Sequence, residues 1–291
     1  MKFGYFGLNV GTFQHPDSIA RLVVAAEQLN FESVWTGEHV VLVDPQVPPS
    51  PAPPHSTFVD TVASLAFAAA KTTRIKLGSG IILIAQREPI VLAKELAGID
   101  VLSQGRLLVG IGVGYVKGEF DALGIPFEER GPRASEHIEV LRTLWTSDKP
   151  EFSGQFTKFS GIQSRPFPVQ KPHPPIHVGG MSAPALRRAV AQGNGWYGFF
   201  LDVANTGKML DGLREAAKRT PRPASLGKLE ISVTPPGPID ADTAKRYEDL
   251  GVDRVVLMRG FGDMATAKRE QSAEDAVIRF LEDMAKEHRL G

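Results

Sequence analysis

The chain has 291 residues, and its 33 lysine and arginine residues balance 33 aspartate and glutamate residues, so the formal net charge is zero. This balance disfavours nucleic acids as partners, because proteins that bind them carry a basic excess. Cysteine is absent, which excludes disulfides, thiolate metal ligands and a cysteine nucleophile. No apolar run is long enough to cross a membrane, and the segment from Met1 to Leu8 reads as a strand instead of a signal peptide. We therefore expect a cytoplasmic chain that acts on small molecules, without nucleic acid or membrane partners.

In the first half of the chain, short apolar runs rich in β-branched residues alternate with helical patterns. Ile19, Leu22 and Val23 begin an apolar face at helical spacing in the first predicted helix. Pro89 suits the first turn of the third helix. The four predicted strands lie near residues 2–8, 33–36, 75–84 and 106–111.

The second half repeats this alternation, with strands predicted at residues 176–178, 196–201, 229–234 and 254–258. Ser182 suits the N-cap of the helix after the first of these strands, and Gly193 suits its C′ position. Eight strands alternating with eight helices predict a (β/α)8 TIM barrel that occupies residues 1–291 as a single domain. A doubly wound open sheet stays the alternative fold, because periodicity does not show whether a sheet closes.

Two segments interrupt the alternation. The segment from Pro45 to Pro54 is too rich in proline to be helical, and it follows the second strand, where the active-site loops of a barrel gather. It is either a lid over the site or an inert spacer. The segment from Phe152 to Gly161 predicts a short hairpin before the fifth strand, at the opposite face of the barrel, where support or subunit contact is expected.

Glycines stand at the ends of several predicted strands, and known phosphate motifs do not explain them. The run that contains Gly112 and Gly114 fails the dinucleotide fingerprint, because Lys117 occupies the position of its third glycine. No segment matches the P-loop pattern. The run Leu77-Gly78-Ser79-Gly80 lacks the first glycine of the serine-hydrolase elbow. The sequence therefore favours neither a nucleoside triphosphatase nor a serine hydrolase.

The turn that contains Gly179, Gly180, Met181 and Ser182 has a better physical case for binding phosphate. It joins a predicted strand directly to a helix, so main-chain N–H groups, the helix dipole and a hydroxyl converge there. An ordinary turn with an N-cap is the alternative. Many barrels bind phosphate after strands seven and eight instead, where the competing residues are Gly237, Arg259, Gly260 and Gly262.

His39 is the titratable residue of most interest, because it directly follows the second strand and an imidazole exchanges protons near neutral pH. A structural histidine is the alternative. Arg87 and Glu88 follow the third strand and either contact an anionic ligand or serve as surface and helix-start charges. His173 and His177 are separated by a Pro-Pro turn and a strand, so no metal site is expected.

A set of motifs carries a resemblance that extends from the first strand to about Trp196. In order, these motifs are Glu27-Gln28-Leu29, Ser33-Val34-Trp35, Glu38-His39, Leu77-Gly78-Ser79-Gly80, Pro89-Ile90-Val91-Leu92-Ala93-Lys94, Asp100-Val101-Leu102-Ser103, Gly105-Arg106, Gly112-Val113-Gly114, Glu119-Phe120-Asp121-Ala122-Leu123-Gly124, Pro126-Phe127-Glu128-Glu129-Arg130-Gly131, Pro172-His173-Pro174-Pro175-Ile176 and Gly179-Gly180. Together they resemble the luciferase-like monooxygenase superfamily, most closely its actinobacterial branch of oxidoreductases that use the deazaflavin coenzyme F420.

The resemblance implies a TIM barrel that holds a flavin-like tricycle at its C-terminal mouth, and it implies a role for each of ten residues. A non-prolyl cis peptide bond would support the ring between Gly80 and Ile81, and His39 would be the catalytic histidine. The remaining residues would bind the cofactor: Gly112, Gly114 and Glu119 as a wall of its site, and Gly179, Gly180, Met181 and Ser182 at its phosphate. Close relatives carry a shorter segment in place of residues 45–55, so substrate preference is not transferred.

Three functions stay open at this point. The first is an F420-dependent oxidoreductase that transfers a hydride between C5 of the deazaflavin and a small organic substrate. The second is an FMN-dependent monooxygenase supplied with reduced flavin by a partner reductase. The third is a non-catalytic protein that binds flavin or deazaflavin. The resemblance also implies a homodimer.

Overall fold

The computed structural model describes residues 1–259 and 271–290. The strands are β1 (Lys2–Phe6), β2 (Ser33–Thr36), β3 (Lys76–Ser79), β4 (Ile82–Leu83), β5 (Leu107–Gly112), β6 (Phe152–Ser153), β7 (Lys158–Phe159), β8 (Ile176–Gly179), β9 (Gly195–Phe199), β10 (Glu230–Thr234) and β11 (Arg254–Leu257). The helices are α1 (Pro16–Gln28), α2 (Thr61–Lys71), α3 (Pro89–Leu102), α4 (Lys117–Ala122), α5 (Arg130–Thr146), α6 (Ala183–Gln192), α7 (Val203–Arg219), α8 (Ala241–Leu250) and α9 (Gln271–Glu287).

The sheet closes into a barrel of eight parallel strands within the described chain, which confirms the predicted TIM barrel and rules out the open sheet. β1 pairs with both β2 and β11, so the first and the last strand of the chain are neighbours in the sheet. β3 pairs with β5, where Leu77 lies opposite Leu107, and this contact completes the ring. The strands are parallel, so their carboxyl ends all open onto one face, called the mouth below.

The third predicted strand is shorter than the sequence pattern indicates. β3 ends at Ser79, the peptide bond between Gly80 and Ile81 is cis, and β4 resumes at Ile82 for two residues only. Ser79 Oγ donates to Gly110 O and accepts from Gly110 N, both at 2.8 Å, so a side chain pairs with the neighbouring strand at this break. The prediction of one continuous strand over residues 75–84 is therefore wrong beyond Ser79. The cis bond lies where the resemblance implies it.

The predicted hairpin before the fifth barrel strand is present as antiparallel β6 and β7. The Glu136 carboxylate on α5 accepts hydrogen bonds from the N–H groups of Gln155, Phe156 and Thr157, which fixes the hairpin turn against the barrel. The hairpin belongs to the connection between α5 and β8, at the end of the barrel opposite the mouth.

Local helix signals hold at α6 with one exception. Ser182 is the N-cap, and its hydroxyl accepts from Ala185 N. Gly193 is extended, at φ −93° and ψ 143°, instead of left-handed. A Cβ on Gly193 would lie 2.7 Å from Gly195 O, so close packing requires this glycine, which is the C-cap of α6 instead of the predicted C′ residue.

The barrel interior is filled by large side chains. The buried indole of Trp35 stacks on Tyr197 with ring centroids 5.2 Å apart, and its Nε1 donates to Ser33 Oγ. A Cβ on Gly78 would lie 2.4 Å from the Trp35 ring, so this strand glycine makes room for tryptophan. Below Trp35, the fully buried Arg254 donates to both carboxylate oxygens of Glu32 at 2.8 Å.

Among the described helices, none combines the length and the apolar character that a bilayer crossing requires. Residues 1–259 and 271–290 also bring together no group of three His, Asp or Glu side chains suited to a metal ion.

Candidate active site

His39 and Glu119 meet at the mouth. His39 follows β2 and Glu119 lies on α4, a short helix within the connection that follows β5. His39 Nδ1 is 2.6 Å from Glu119 Oε1, and the two side chains are 9% and 1% exposed. The sequence predicted both residues for the site in separate roles. The structure brings them into direct contact.

The carboxylate determines which imidazole nitrogen is available. An ionised carboxylate only accepts hydrogen bonds, so we assign the proton to His39 Nδ1 and leave Nε2 as an acceptor in the neutral ring. No hydrogen bond to Nε2 comes from the described part of the chain. The aromatic rings of Phe58 and Tyr115 lie edge-on to the imidazole, with centroids 5.2 and 6.3 Å away. Burial and the neighbouring Glu119 raise the pKa of Tyr115 to about 12, so its hydroxyl keeps its proton.

A second set of charges lies beside this pair. Arg87 Nε and Nη2 donate to the Glu38 carboxylate at 3.2 and 2.8 Å, and Nη2 also contacts Asp60 at 2.8 Å. Burial opposes ionisation of Asp60, but hydrogen bonds from Arg87 and from Ala63 N outweigh it and lower its pKa. Arg87 is therefore engaged by two carboxylates of its own chain. Glu88 caps α3 by accepting from Val91 N.

These residues surround a cleft of about 410 Å³. Its lining includes both His39 and the two carboxylates that Arg87 contacts, together with the Phe58 ring and several apolar side chains. The lining residues are Glu38, His39, Val40, Phe58, Val59, Asp60, Thr61, Gln86, Arg87 and Leu123. A small organic molecule in this cleft would lie against His39.

Three glycines that were predicted to contact the cofactor have packing roles in the structure. A Cβ on Gly112 would lie 2.0 Å from Ile81 Cδ1, and a Cβ on Gly179 would lie 3.1 Å from the same atom. Gly114 has φ +81°, and a Cβ there would lie 2.8 Å from the Phe120 ring. Gly112 and Gly179 therefore seat Ile81, while Gly114 lets α4 approach. Contact of any of these residues with a cofactor stays a prediction.

The turn before α6 is open to solvent. Gly180 has φ +117°, a left-handed conformation that favours glycine. Met181 is 53% exposed and Ser182 is also exposed. The N–H groups of Met181, Ser182 and Ala183 form no hydrogen bond within the described chain. The turn thus presents free donors at the N-terminus of a ten-residue helix.

The competing phosphate position follows β10 and β11 and is described only in part. Helix α8 after β10 begins with the carboxylate cap Asp240, which opposes a second anion, whereas the first turn of α6 has no acidic residue. Arg259 lies just after β11, and Gly237 follows β10. Gly260 and Gly262 lie outside the described residues.

The proline-rich segment is docked on the mouth. Ala52 is fully buried in an apolar cluster of the barrel interior that also contains Phe6 and Met258. The buried Asn9 donates to Gly37 O and Val59 O, which ties the start of this connection to its end. The segment therefore covers part of the mouth, and whether it opens as a lid stays a prediction.

Sequence reasoning missed Gln86, Asn9 and the two rings beside His39. Their roles depend on partners far along the chain, and no local pattern marks them. A closed parallel barrel with an imidazole–carboxylate pair and a cleft at its mouth is the arrangement of a TIM-barrel enzyme, a class in which active sites lie at the C-terminal face.

Comparison with known proteins gives the family. Residues 1–287 match the model of the luciferase-like monooxygenase family, and the chain belongs to that family, whose members are oxidoreductases that use F420 or flavin. An uncharacterised protein of Mycobacterium tuberculosis is 30% identical over 281 residues, which is 93% of this chain and 92% of the relative.

Two further proteins are similar in part or in fold. An FMNH2-dependent dimethylsulfone monooxygenase of Pseudomonas putida is 40% identical over 112 residues, or 38% of this chain and 31% of that protein. The F420-dependent tetrahydromethanopterin reductase of Methanopyrus kandleri has a similar structure, with a TM-score of 0.74 and 18% identity over 98% of this chain and 97% of the reductase. At that identity the likeness shows the fold alone.

Proposed function

We propose that this protein is a coenzyme F420-dependent oxidoreductase that transfers a hydride between the deazaflavin and a small organic substrate. The observation that carries the proposal is the His39–Glu119 pair at the mouth, at 2.6 Å. Reduction of a carbonyl, or oxidation of an alcohol, moves a proton at the substrate oxygen together with the hydride. A histidine held by a buried carboxylate is suited to that proton transfer.

The residues at the mouth fit a flavin-like group with a phosphate-bearing tail. The apolar side chains of Phe6, Ile81 and Phe199 belong to one cluster at the carboxyl ends of the strands and suit a flat ring. The free N–H groups of the turn from Gly180 to Ser182 suit its phosphate. In this proposal Gly80 and Ile81 support the ring, Gly112, Gly114 and Glu119 flank it, and Gly179 to Ser182 hold the phosphate.

When bound, the deazaflavin supplies a hydride donor or acceptor at its C5 atom. His39 Nε2 exchanges the proton at the substrate oxygen, and Glu119 stabilises the imidazolium that results when Nε2 takes a proton up. Phe58 and Tyr115 flank the imidazole and exclude water from it. The docked segment around Ala52 narrows access from solvent.

Fluorescence titration of the purified protein with F420 and with FMN tests the cofactor. We expect tighter binding of F420, and reduced F420 should then be oxidised in the presence of a panel of aldehydes and ketones. His39→Ala should abolish this turnover and leave the F420 dissociation constant within about twofold. His55→Ala removes an exposed histidine of the same connection and is the matched control. Unchanged turnover in His39→Ala would contradict the proposal.

The second candidate is an FMN-dependent monooxygenase supplied by a reductase. It is favoured by the 40% identity with the dimethylsulfone monooxygenase over 112 residues. Oxygen consumption with reduced FMN separates the two functions, because deazaflavins react poorly with oxygen. Preference for FMN together with oxygen uptake would replace the first proposal by the second.

Binding of either cofactor without turnover across the acceptor panel would favour the third function, a non-catalytic cofactor-binding protein. The proposal also includes a cytoplasmic homodimer. Light scattering after size-exclusion chromatography measures the molar mass of the protein in solution, which distinguishes a dimer from a monomer.

A further inference from the structure

We propose that Gln86 is a positioning residue that holds the Glu119 carboxylate in its acceptor form and thereby keeps the His39 proton on Nδ1. Gln86 ends the helical turn that follows β4 and is only 7% exposed. Its Nε2 donates to Glu119 Oε2 at 3.2 Å, while His39 Nδ1 contacts Glu119 Oε1 at 2.6 Å. The three side chains form one line of contacts, called the Gln86–Glu119–His39 relay below.

The amide matters because Glu119 is almost fully buried. A buried carboxylate keeps its charge only when donors compensate for lost water, and hydrogen bonds to the charged form favour that form. Gln86 supplies the second of the two side-chain donors that Glu119 receives in the described chain. Without it, the second carboxylate oxygen has no donor in the described chain, and the carboxylate can turn away from His39 Nδ1. The imidazole proton can then move to Nε2, where it would block proton uptake from an alcohol substrate.

A second contact set keeps Gln86 in place. Glu38, which directly precedes His39, accepts from Leu83 N at 2.9 Å and from the Arg87 guanidinium. Leu83 and Arg87 flank the turn that ends at Gln86. One carboxylate therefore ties the chain next to His39 to both sides of that turn and fixes the separation that the relay needs.

The side-chain oxygen of Gln86 argues against a purely structural role for this residue. Gln86 Oε1 is buried and has no hydrogen-bond partner in the described chain, which is unfavourable for folding. An apolar side chain of the same length would remove this penalty. The amide at position 86 therefore lowers the stability of the fold through its unpaired oxygen. Its contact with Glu119 offsets that loss.

The test uses histidine-selective 15N labelling of the cofactor-free protein, with the His39 signals assigned through His39→Gln. We expect the wild-type proton on Nδ1. In Gln86→Met, which keeps the length but loses the donor, we expect a mixture of tautomers. Gln192→Met is the matched control, because it removes an amide contact of 2.8 Å to the Glu139 carboxylate, far from the mouth.

A second variant protects the test if Gln86→Met does not fold. Gln86→Leu removes the same donor with a different apolar side chain, so the same mixture of tautomers should appear. A proton on Nε2 in the wild type, or an unchanged tautomer in Gln86→Met, would overturn the proposal. So would loss of the Nδ1 tautomer in Gln192→Met.

The consequence for turnover rests on the proposed function, but the tautomer measurement does not. With oxidised F420 and the alcohol that corresponds to an accepted carbonyl compound, Gln86→Met should lower kcat about 10- to 100-fold, as for outer partners that orient a metal-binding histidine, and change KM less than about threefold. An altered tautomer without any F420 turnover in the wild type would contradict the proposed function alone.

Discussion

His39 Nδ1 lies 2.6 Å from Glu119 Oε1, although 80 positions of the chain separate the two residues. His39 follows β2 and Glu119 lies on α4 after β5, and the two connections meet at the mouth although β3 lies between the two strands. This arrangement orients the imidazole and leaves Nε2 without a hydrogen-bond partner in the described chain.

Replacement of Glu119 by glutamine should disable the pair without changing its shape. The amide offers either a donor or an acceptor to Nδ1 and so fails to enforce one tautomer. We expect Glu119→Gln to lower kcat about 10²- to 10⁴-fold, in the range of a lost acid–base contribution. Steady-state kinetics measure the effect. Asp121→Asn on the same short helix is the control, since its carboxylate pairs with Lys117 in solvent. Equal losses in both variants would contradict the role of Glu119.

Two glycines of β5 should respond differently to alanine. A Cβ on Gly110 would lie 1.8 Å from the main-chain oxygen of Ser79, so Gly110→Ala should prevent folding. A Cβ on Gly112 meets the Ile81 side chain instead of a main-chain atom, at 2.0 Å from Cδ1 and 3.2 Å from Cγ1. We expect Gly112→Ala to cost about 1–3 kcal/mol and Ile81→Val to relieve part of that cost. A double-mutant cycle by urea denaturation checks the coupling, and additive effects would contradict it.

Ser182→Ala separates helix capping from phosphate binding. Loss of the N-cap should reduce stability by about 1 kcal/mol, as should Asp240→Ala at α8. Only Ser182→Ala should also weaken binding of the phosphate-bearing cofactor, by about tenfold or 1.4 kcal/mol. Fluorescence titration measures the affinity for the cofactor, and thermal melting measures the stability of each variant. An unchanged affinity of Ser182→Ala for the cofactor would mean that Ser182 only caps the helix and does not bind phosphate.

His177 should make the protein sensitive to moderate acid. Burial, reinforced by the positive Arg254, lowers the pKa of His177 from its ordinary value of 6.5 to about 4, despite Glu230 and Glu32. Between these values the unfolded chain binds a proton that the folded chain does not, so stability falls as the pH falls from about 6.5 to about 4. Above about 6.5 the residue contributes no pH dependence.

Comparison of unfolding free energies in wild type and His177→Gln isolates this effect. The wild type should lose about 3 kcal/mol more than the variant across that interval. Burial opposes ionisation of Glu32, but Arg254 outweighs it and lowers the pKa to about 2, so this carboxylate adds its own loss only at lower pH and in both proteins. Parallel pH profiles would contradict the prediction.

Much of the architecture is predictable from the sequence because its signals are local. Periodic apolar residues mark the strands and helices, and a serine marks the start of α6. The break after Ser79 is not predictable from periodicity, because the apolar pattern continues through it. Its pairing to Gly110 involves a strand about 30 positions away.

The candidate site also has features that the sequence predicts and features that it does not. The sequence determined that His39 follows a strand, that Ser182 begins a helix and that glycines occupy the strand ends, since each of these depends on near neighbours. Only the tertiary structure decided that Glu119 orients His39, that Gln86 supports Glu119 and that Gly112 makes room for Ile81. The physical reason is that barrel closure places the carboxyl ends of separate strands side by side, and no local pattern encodes which side chains then come into contact.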